Sequence, residues 1–236
     1  MSWRRLGLAS CLVLAALLLS GCFQSAIDIR FDSQTHGLVR QQIQLADRFT
    51  QLSARQVQPW FDQVAHQVRT LGGSVRQPTP QTWQLEVPFN NGAELVEKFN
   101  HLMTVETTGL LSEMLGTTQV RSQLSLKQNN WILALRNQLT WDLDLRSVKA
   151  GQPTGGVFAN LQPLSLQFSL TTPWGIRQIV TSPATSWQNG QTLQLGQLNH
   201  LEAIFWVPSP IGIGAVAIAA LVSLGWLVRD RLSQFP

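Results

Sequence analysis

Two carboxylates two positions apart, Asp142 and Asp144, and four histidines, His36, His66, His101 and His200, are the side chains of this 236-residue chain best suited to acid–base work. Paired carboxylates divide donor and acceptor roles only when their surroundings push their pKa values apart. In "WDLDL" both aspartates share one parity, opposite Trp141 and Leu143. That alternation accounts for them as the solvent side of a half-buried strand. The histidines are scattered through turns, helical stretches and a loop, with no HExxH or other local ligand spacing. "GQPTGG" lacks the lysine and following hydroxyl of a phosphate loop, and no GxSxG elbow occurs. A hydrolase acting on envelope lipids or glycans is therefore the weakest of three functional readings. The expectation is a protein that is not an enzyme and that uses no cofactor and no metal.

One cysteine does carry a chemical signal. Cys11 and Cys22 are the only two, so no thiol remains downstream for a disulfide or a zinc site. Met1 to Arg5 is a short basic segment and Leu6 to Leu19 an apolar one. Its helical length of roughly 21 Å falls short of a bilayer's ~30 Å hydrocarbon core and suits a signal peptide, residues 1–21. Leu19, Ser20, Gly21 and Cys22 resemble the box of bacterial lipoproteins, in which the thiol takes a diacylglycerol and cleavage makes the cysteine the new N-terminus. Lipidation of Cys22 is the leading reading; plain cleavage and an uncleaved anchor are the alternatives.

The other end is apolar from Ile211 to Val228, with Ser223 its strongly polar exception. Ser209 suits an N-cap and Pro210 a first helical turn, and residues 209–228 rise about 30 Å, enough to span. Phe205, Trp206 and Trp226 are placed for interfacial belts. Arg229 and Arg231 follow at once, so the positive-inside rule puts the tail 229–236 in the cytoplasm and the domain on the exported side, periplasmic or lumenal. With 22–26 as a lipidated tether and Val207 just before the helix, both ends of the domain are expected at one leaflet.

Between the anchors, residues 27–207 read as an α+β domain: a curved, mainly antiparallel sheet packed on one or two helices. Ile27, Ile29 and Phe31 alternate, then Val39, Ile43 and Leu45 beyond a turn at Gly37, which predicts a hairpin. Helices are expected from Ser53 to Leu71, with Pro59 awkward inside, and from Ala93 to Met103, with a weaker stretch to Leu115. Strands are expected at Thr82 to Val87, at Val120 to Leu126, along one parity from Trp131 to Leu145, and at Leu164 to Leu170. Pro173, Pro183 and Asn189-Gly190 mark an irregular stretch before the membrane. Thirteen basic and twelve acidic residues fall between Phe23 and Val207, so the pI near 9.8 reflects the ends and not a phosphate-tracking stripe. Nucleic acid is not an expected partner.

Nine tryptophans and no tyrosine are the unusual resource. Each supplies apolar area and one polar donor, for core filling, a ligand cavity or the headgroup layer. Core filling is expected for Trp60, Trp131 and Trp141, and interfacial contact for Trp174 and Trp187. Together with Phe61 and Phe168, the first three are also the expected lining of any apolar cavity.

"FDSQTHGLVRQQIQL", "LSLQFSLTTPWG" and above all "FWVPSPIGIG" resemble a family of cyanobacterial and plastid membrane proteins of unknown function, related to the mycobacterial lipoprotein LppM. The resemblance covers nearly all of the mature chain. It implies a helix-grip-like, lipid-binding α+β fold outside a membrane, with glycolipid association, and it brings no catalytic motif. The leading expectation is a non-enzymatic, membrane-tethered protein whose exported domain binds lipid or glycolipid. The alternative is an assembly or stability factor for a membrane protein complex. Expected partners are thus membrane lipids and, in the alternative, a membrane protein.

Overall fold

The computed structural model describes residues 23–45, 54–108, 120–147, 164–182 and 191–233. Their apolar periodicities resolve into two sheets and two packed helices, followed by one projecting helix. The first sheet has six strands: β1 (Phe23–Ser33), β2 (His36–Leu45), β3 (Ser74–Thr79), β4 (Thr82–Phe89), β7 (Leu164–Thr171) and β9 (Gln191–Leu193), in the order β3-β4-β2-β1-β7-β9. The second has four: β5 (Arg121–Asn130), β6 (Ala134–Asp144), β8 (Ile176–Ser182) and β10 (Leu198–Pro208), in the order β5-β6-β10-β8. All pairings are antiparallel except β1 with β7, which is parallel.

The helices are set by their ends as much as by their stripes. Helix α1 (Ala54–Thr70) buries Phe61, Val64, Ala65 and Val68 and accommodates Pro59 in its first half. It closes in a Schellman motif: Gly72 takes φ 76° and donates to Arg69 O, while Gly73 N donates to Val68 O. Helix α2 (Gly92–Thr108) is capped by Asn91, whose Oδ1 accepts from Glu94 N at 2.8 Å, and Glu94 reaches back to Asn90 N at 2.7 Å. It extends past Met103; the weaker helical stretch beyond Thr108 lies outside the described residues.

One core joins these elements. Trp141 on β6 packs against Phe168 on β7, with ring centroids 4.7 Å apart, and edge-on against Phe99 of α2 at 5.7 Å. Phe31 on β1 meets Phe205 on β10 at 4.9 Å. The α+β class with antiparallel sheets on helices is as expected, but the strands divide between two sheets whose inner faces share these rings. Parity along single strands does not distinguish one sheet from two.

Three expectations are corrected. Strands β8, β9 and β10 occupy the stretch read as irregular from Pro173 to the membrane: in β10, Leu201, Ala203, Phe205 and Val207 point inward, while Ile204 and Trp206 on the other face blur the alternation. The strand expected from Trp131 starts at Ala134, because residues 131–133 form the turn from β5. And β1 begins at Phe23, so residues 23–26 of the supposed tether are the first part of a paired strand.

Leu139 is fully buried in the shared core. Leu139→Ala should lower the unfolding free energy by about 2–5 kcal/mol, read as a lower denaturation midpoint for the detergent-solubilised chain. A change under ~0.5 kcal/mol would contradict this packing.

Candidate functional site

The domain is joined to the last helix with almost no intervening chain. Strand β10 ends at Pro208 and helix α3 (Pro210–Ser233) begins two residues later. Ser209, buried, is the N-cap: its Oγ accepts from Gly212 N at 3.2 Å and its carbonyl from Ile213 N at 2.9 Å. Its own N–H donates to Leu133 O at 2.9 Å, tying the cap to the β5–β6 turn. From Pro210 to Asp230 the helix has 21 residues and a length near 31 Å, and its most apolar eighteen residues have a mean hydropathy of 2.3, long and apolar enough to cross a membrane.

The β5–β6 turn sits directly against this helix. A Cβ at position 212 would lie 1.6 Å from Ile132 O, so only glycine permits the approach. Ile132 has φ 60°, a left-handed conformation that costs a β-branched residue about 1–2 kcal/mol. Hydrogen bonds hold it there: Ile132 N donates to Asn130 Oδ1, and Trp131 N to Ala134 O. Trp131, Ile132 and Leu133 are 65, 68 and 46% exposed, a contiguous apolar tip. The Trp131 ring lies 6.2 Å from that of Trp206, on the outward side of β10. Across β10, Ile176 of β8 pairs with Phe205, and exposed Trp174 lies two residues before it. Tryptophans from three segments thus gather at the end of the second sheet where α3 begins.

The expected cavity lining disperses. Trp141 and Phe168 are buried and packed on one another, and Trp141 Nε1 donates to Ser122 Oγ at 2.9 Å. Phe61 stacks on Trp83 at 4.0 Å, with Trp60 edge-on to it. Of the expected lining, Trp60, Phe61, Trp141 and Phe168 fill or flank the core, whereas Trp131, expected there too, lies at the exposed turn. Phe205, expected at the interface, is fully buried because inward parity on β10 turns it to Phe31. Trp226 and Arg229 are exposed on α3, and Arg231 lies further along the same helix. Leu19, Ser20, Gly21, Cys22 and Trp187 lie outside the described residues.

The structure also separates the two ends of the domain. Ser25, near the start of β1, pairs with Leu166, and Leu166 pairs with Leu193. Gln194, the next residue, exchanges two hydrogen bonds with Asn199 at the start of β10. Thus β1 and β10 begin at one end of the domain, and Phe31 and Phe205 meet toward the other. Because α3 leaves from the far end of β10, the start of β1 stands back by about the length of that strand, ~33 Å.

The acid–base groups separate as well. Asp142 faces His200 across β6 and β10, with Oδ1 2.6 Å from Nδ1. Ser182 of β8 is the next residue in that row, but among the described contacts none joins its hydroxyl to His200. Asp144 instead pairs with Arg146, whose hydrogen bonds and charge lower its pKa to about 2. The two carboxylates therefore do not form a proton-sharing pair. Among the described residues no three His, Cys, Asp or Glu side chains converge on a metal position.

Comparison with known families places residues 27–235 in the one described as "Protein of unknown function (DUF3153)". The chain belongs to this family. Among solved structures, the DUF3153 chain is similar to the folded domain of LppM from Mycobacterium tuberculosis, determined by NMR. The match has 13% identity and a TM-score of 0.40, covering 80% of this chain and 92% of that one. Comparison with curated proteins finds no match.

In this DUF3153 chain, Arg146→Gln should return the Asp144 carboxyl toward its ordinary value near 3.8, measured by NMR titration of the side-chain carboxyl. The sign follows from the depressed folded pKa: the stabilisation is present above the unfolded value and lost as pH falls toward about 2. A carboxyl still titrating near 2 in the variant would rule out Arg146 as the cause.

Proposed function

We propose that this is a non-enzymatic membrane protein whose exported domain binds lipid or glycolipid at the bilayer surface. The observation carrying this reading is the junction: β10 passes through a one-residue cap into an apolar helix long enough to span. With no linker, the domain works where the helix enters the membrane. Arg229 and Arg231 beyond the apolar segment favour a cytoplasmic tail and a periplasmic or lumenal domain. Trp141 and Phe168 are engaged in the core, so the lipid-binding surface is assigned to the tryptophan-bearing rim around the helix start and not to a cavity behind those rings.

Lipidation of Cys22 belongs to this proposal and takes a different geometry from the simple one. Phe23, the residue after Cys22 in the sequence, opens β1 at the end of the strands away from α3. Acyl chains in the leaflet that α3 enters would tilt the strands toward the bilayer surface, with the α3 end the deepest. A spanning helix alone retains the protein, so the lipid acts on orientation.

Native mass spectrometry of the detergent-solubilised chain should detect a co-purifying lipid or glycolipid. A chain that carries none, together with a stoichiometric protein partner that survives delipidation, would replace this function with that of an assembly factor. Cys22→Ala should stay in the carbonate-resistant membrane fraction, while energy transfer from a fluorophore at exposed Gln24 to a dye in the bilayer falls. Release into the soluble fraction would overturn the spanning role of α3.

A further inference from the structure

The strained, exposed β5–β6 turn is unlike an ordinary hairpin connection. Positions with φ near +60° usually carry glycine, asparagine or aspartate, which tolerate the conformation and interact with water. Here a β-branched isoleucine takes it, between a tryptophan and a leucine, and all three are exposed. The strain does not serve the core, since none of the three is buried in it. What the conformation achieves is a continuous apolar projection from the domain.

We propose that Trp131-Ile132-Leu133 is a membrane wedge, inserted among the phospholipid chains of the leaflet that α3 enters. The proposal rests on the reading of α3 as spanning and deepens the assignment of the lipid-facing rim. Its support is continuity with the helix: Ile132 O lies against Gly212 in the first turn of α3, and Leu133 O accepts from the cap residue Ser209. The tip is therefore fixed at the level where the helix turns apolar, beside exposed Ile211. Behind it stands Trp206, packed on Trp131, and Arg136, which is Trp206's register partner on β6. An apolar tip backed by a tryptophan and a cation at one level of the sheet matches acyl chain at the tip and interface with anionic headgroups behind it. The occupant is lipid, because a turn locked to the first turn of a spanning helix meets lipid on every side not covered by its own domain.

The test uses the full chain reconstituted in vesicles of phosphatidylcholine and phosphatidylglycerol. A nitroxide is placed at Ile132→Cys and, as a control, at exposed Gln123→Cys, seven residues back from the end of β5. The label at 132 should collide several-fold more with oxygen than with a water-soluble nickel chelate, and the label at 123 should show the reverse. Chelate access at 132 equal to that at 123 would overturn the wedge. So would a label shielded from both reagents, which would mean that a protein covers the turn. Trp131→Phe should also reduce the fraction of tryptophan emission quenched by bromolipids, with α3 still resistant to carbonate. An unchanged quenched fraction would place the indole outside the lipid. Water exposure at 132 in a carbonate-resistant protein that still carries lipid would defeat the wedge alone. Absence of co-purifying lipid with 132 at acyl depth would defeat only the binding function.

Discussion

The backbone of Ile132 occupies the space that a side chain at position 212 would fill. This contact couples a hairpin of the domain to a helix long and apolar enough to cross a membrane, and the way that helix leaves the domain depends on it. Ser209 strengthens it from both sides, capping α3 and donating to the turn. The helix consequently leaves the domain at a defined place beside the β5–β6 turn. A flexible linker would allow the domain to sample many orientations; a capped helix locked beneath a hairpin restricts them.

The distribution of aromatic rings follows from that arrangement. Trp141, Phe99 and Phe168 meet where β6, α2 and β7 converge, and Phe31 and Phe205 join the two sheets nearer the helix. Rings inside provide a packed core, while Trp131, Trp174 and Trp206 stand at the end from which α3 departs. The same residue type serves two environments because indole combines large apolar area with a single donor. Trp141 satisfies its donor with Ser122, consistent with a ring held in place and not one left free for a ligand.

Acid–base groups on the outer face of the second sheet show how proximity in sequence can mislead. Asp142 and Asp144 share a face, yet one turns to His200 across the ladder and the other to Arg146 beyond the strand end. Each has its own charged or polar partner, and the resulting arrangement is that of a solvated sheet surface.

Several features were legible from residue order because they depend on near neighbours. The β1–β2 hairpin, the glycine-terminated α1, the alternating strands β5, β6 and β7, the Ser209 cap and the length of the apolar α3 all follow from local spacing. Strand β10 was not legible as a strand, since Ile204 and Trp206 gave its outer face apolar character too, and Phe205 could be placed only when its partner Phe31 was known. Trp131 fitted the parity of β6, and only the turn before Ala134 shows that it lies outside that strand. The division into two sheets, the parallel pairing of β1 with β7, and the separation of the start of β1 from the start of α3 were decided by tertiary structure. They depend on which strands meet across long gaps, more than a hundred residues for β1 with β7 and more than fifty for β6 with β10. Periodicity records which face of an element is apolar, but the partner that covers that face is chosen by packing of the whole chain.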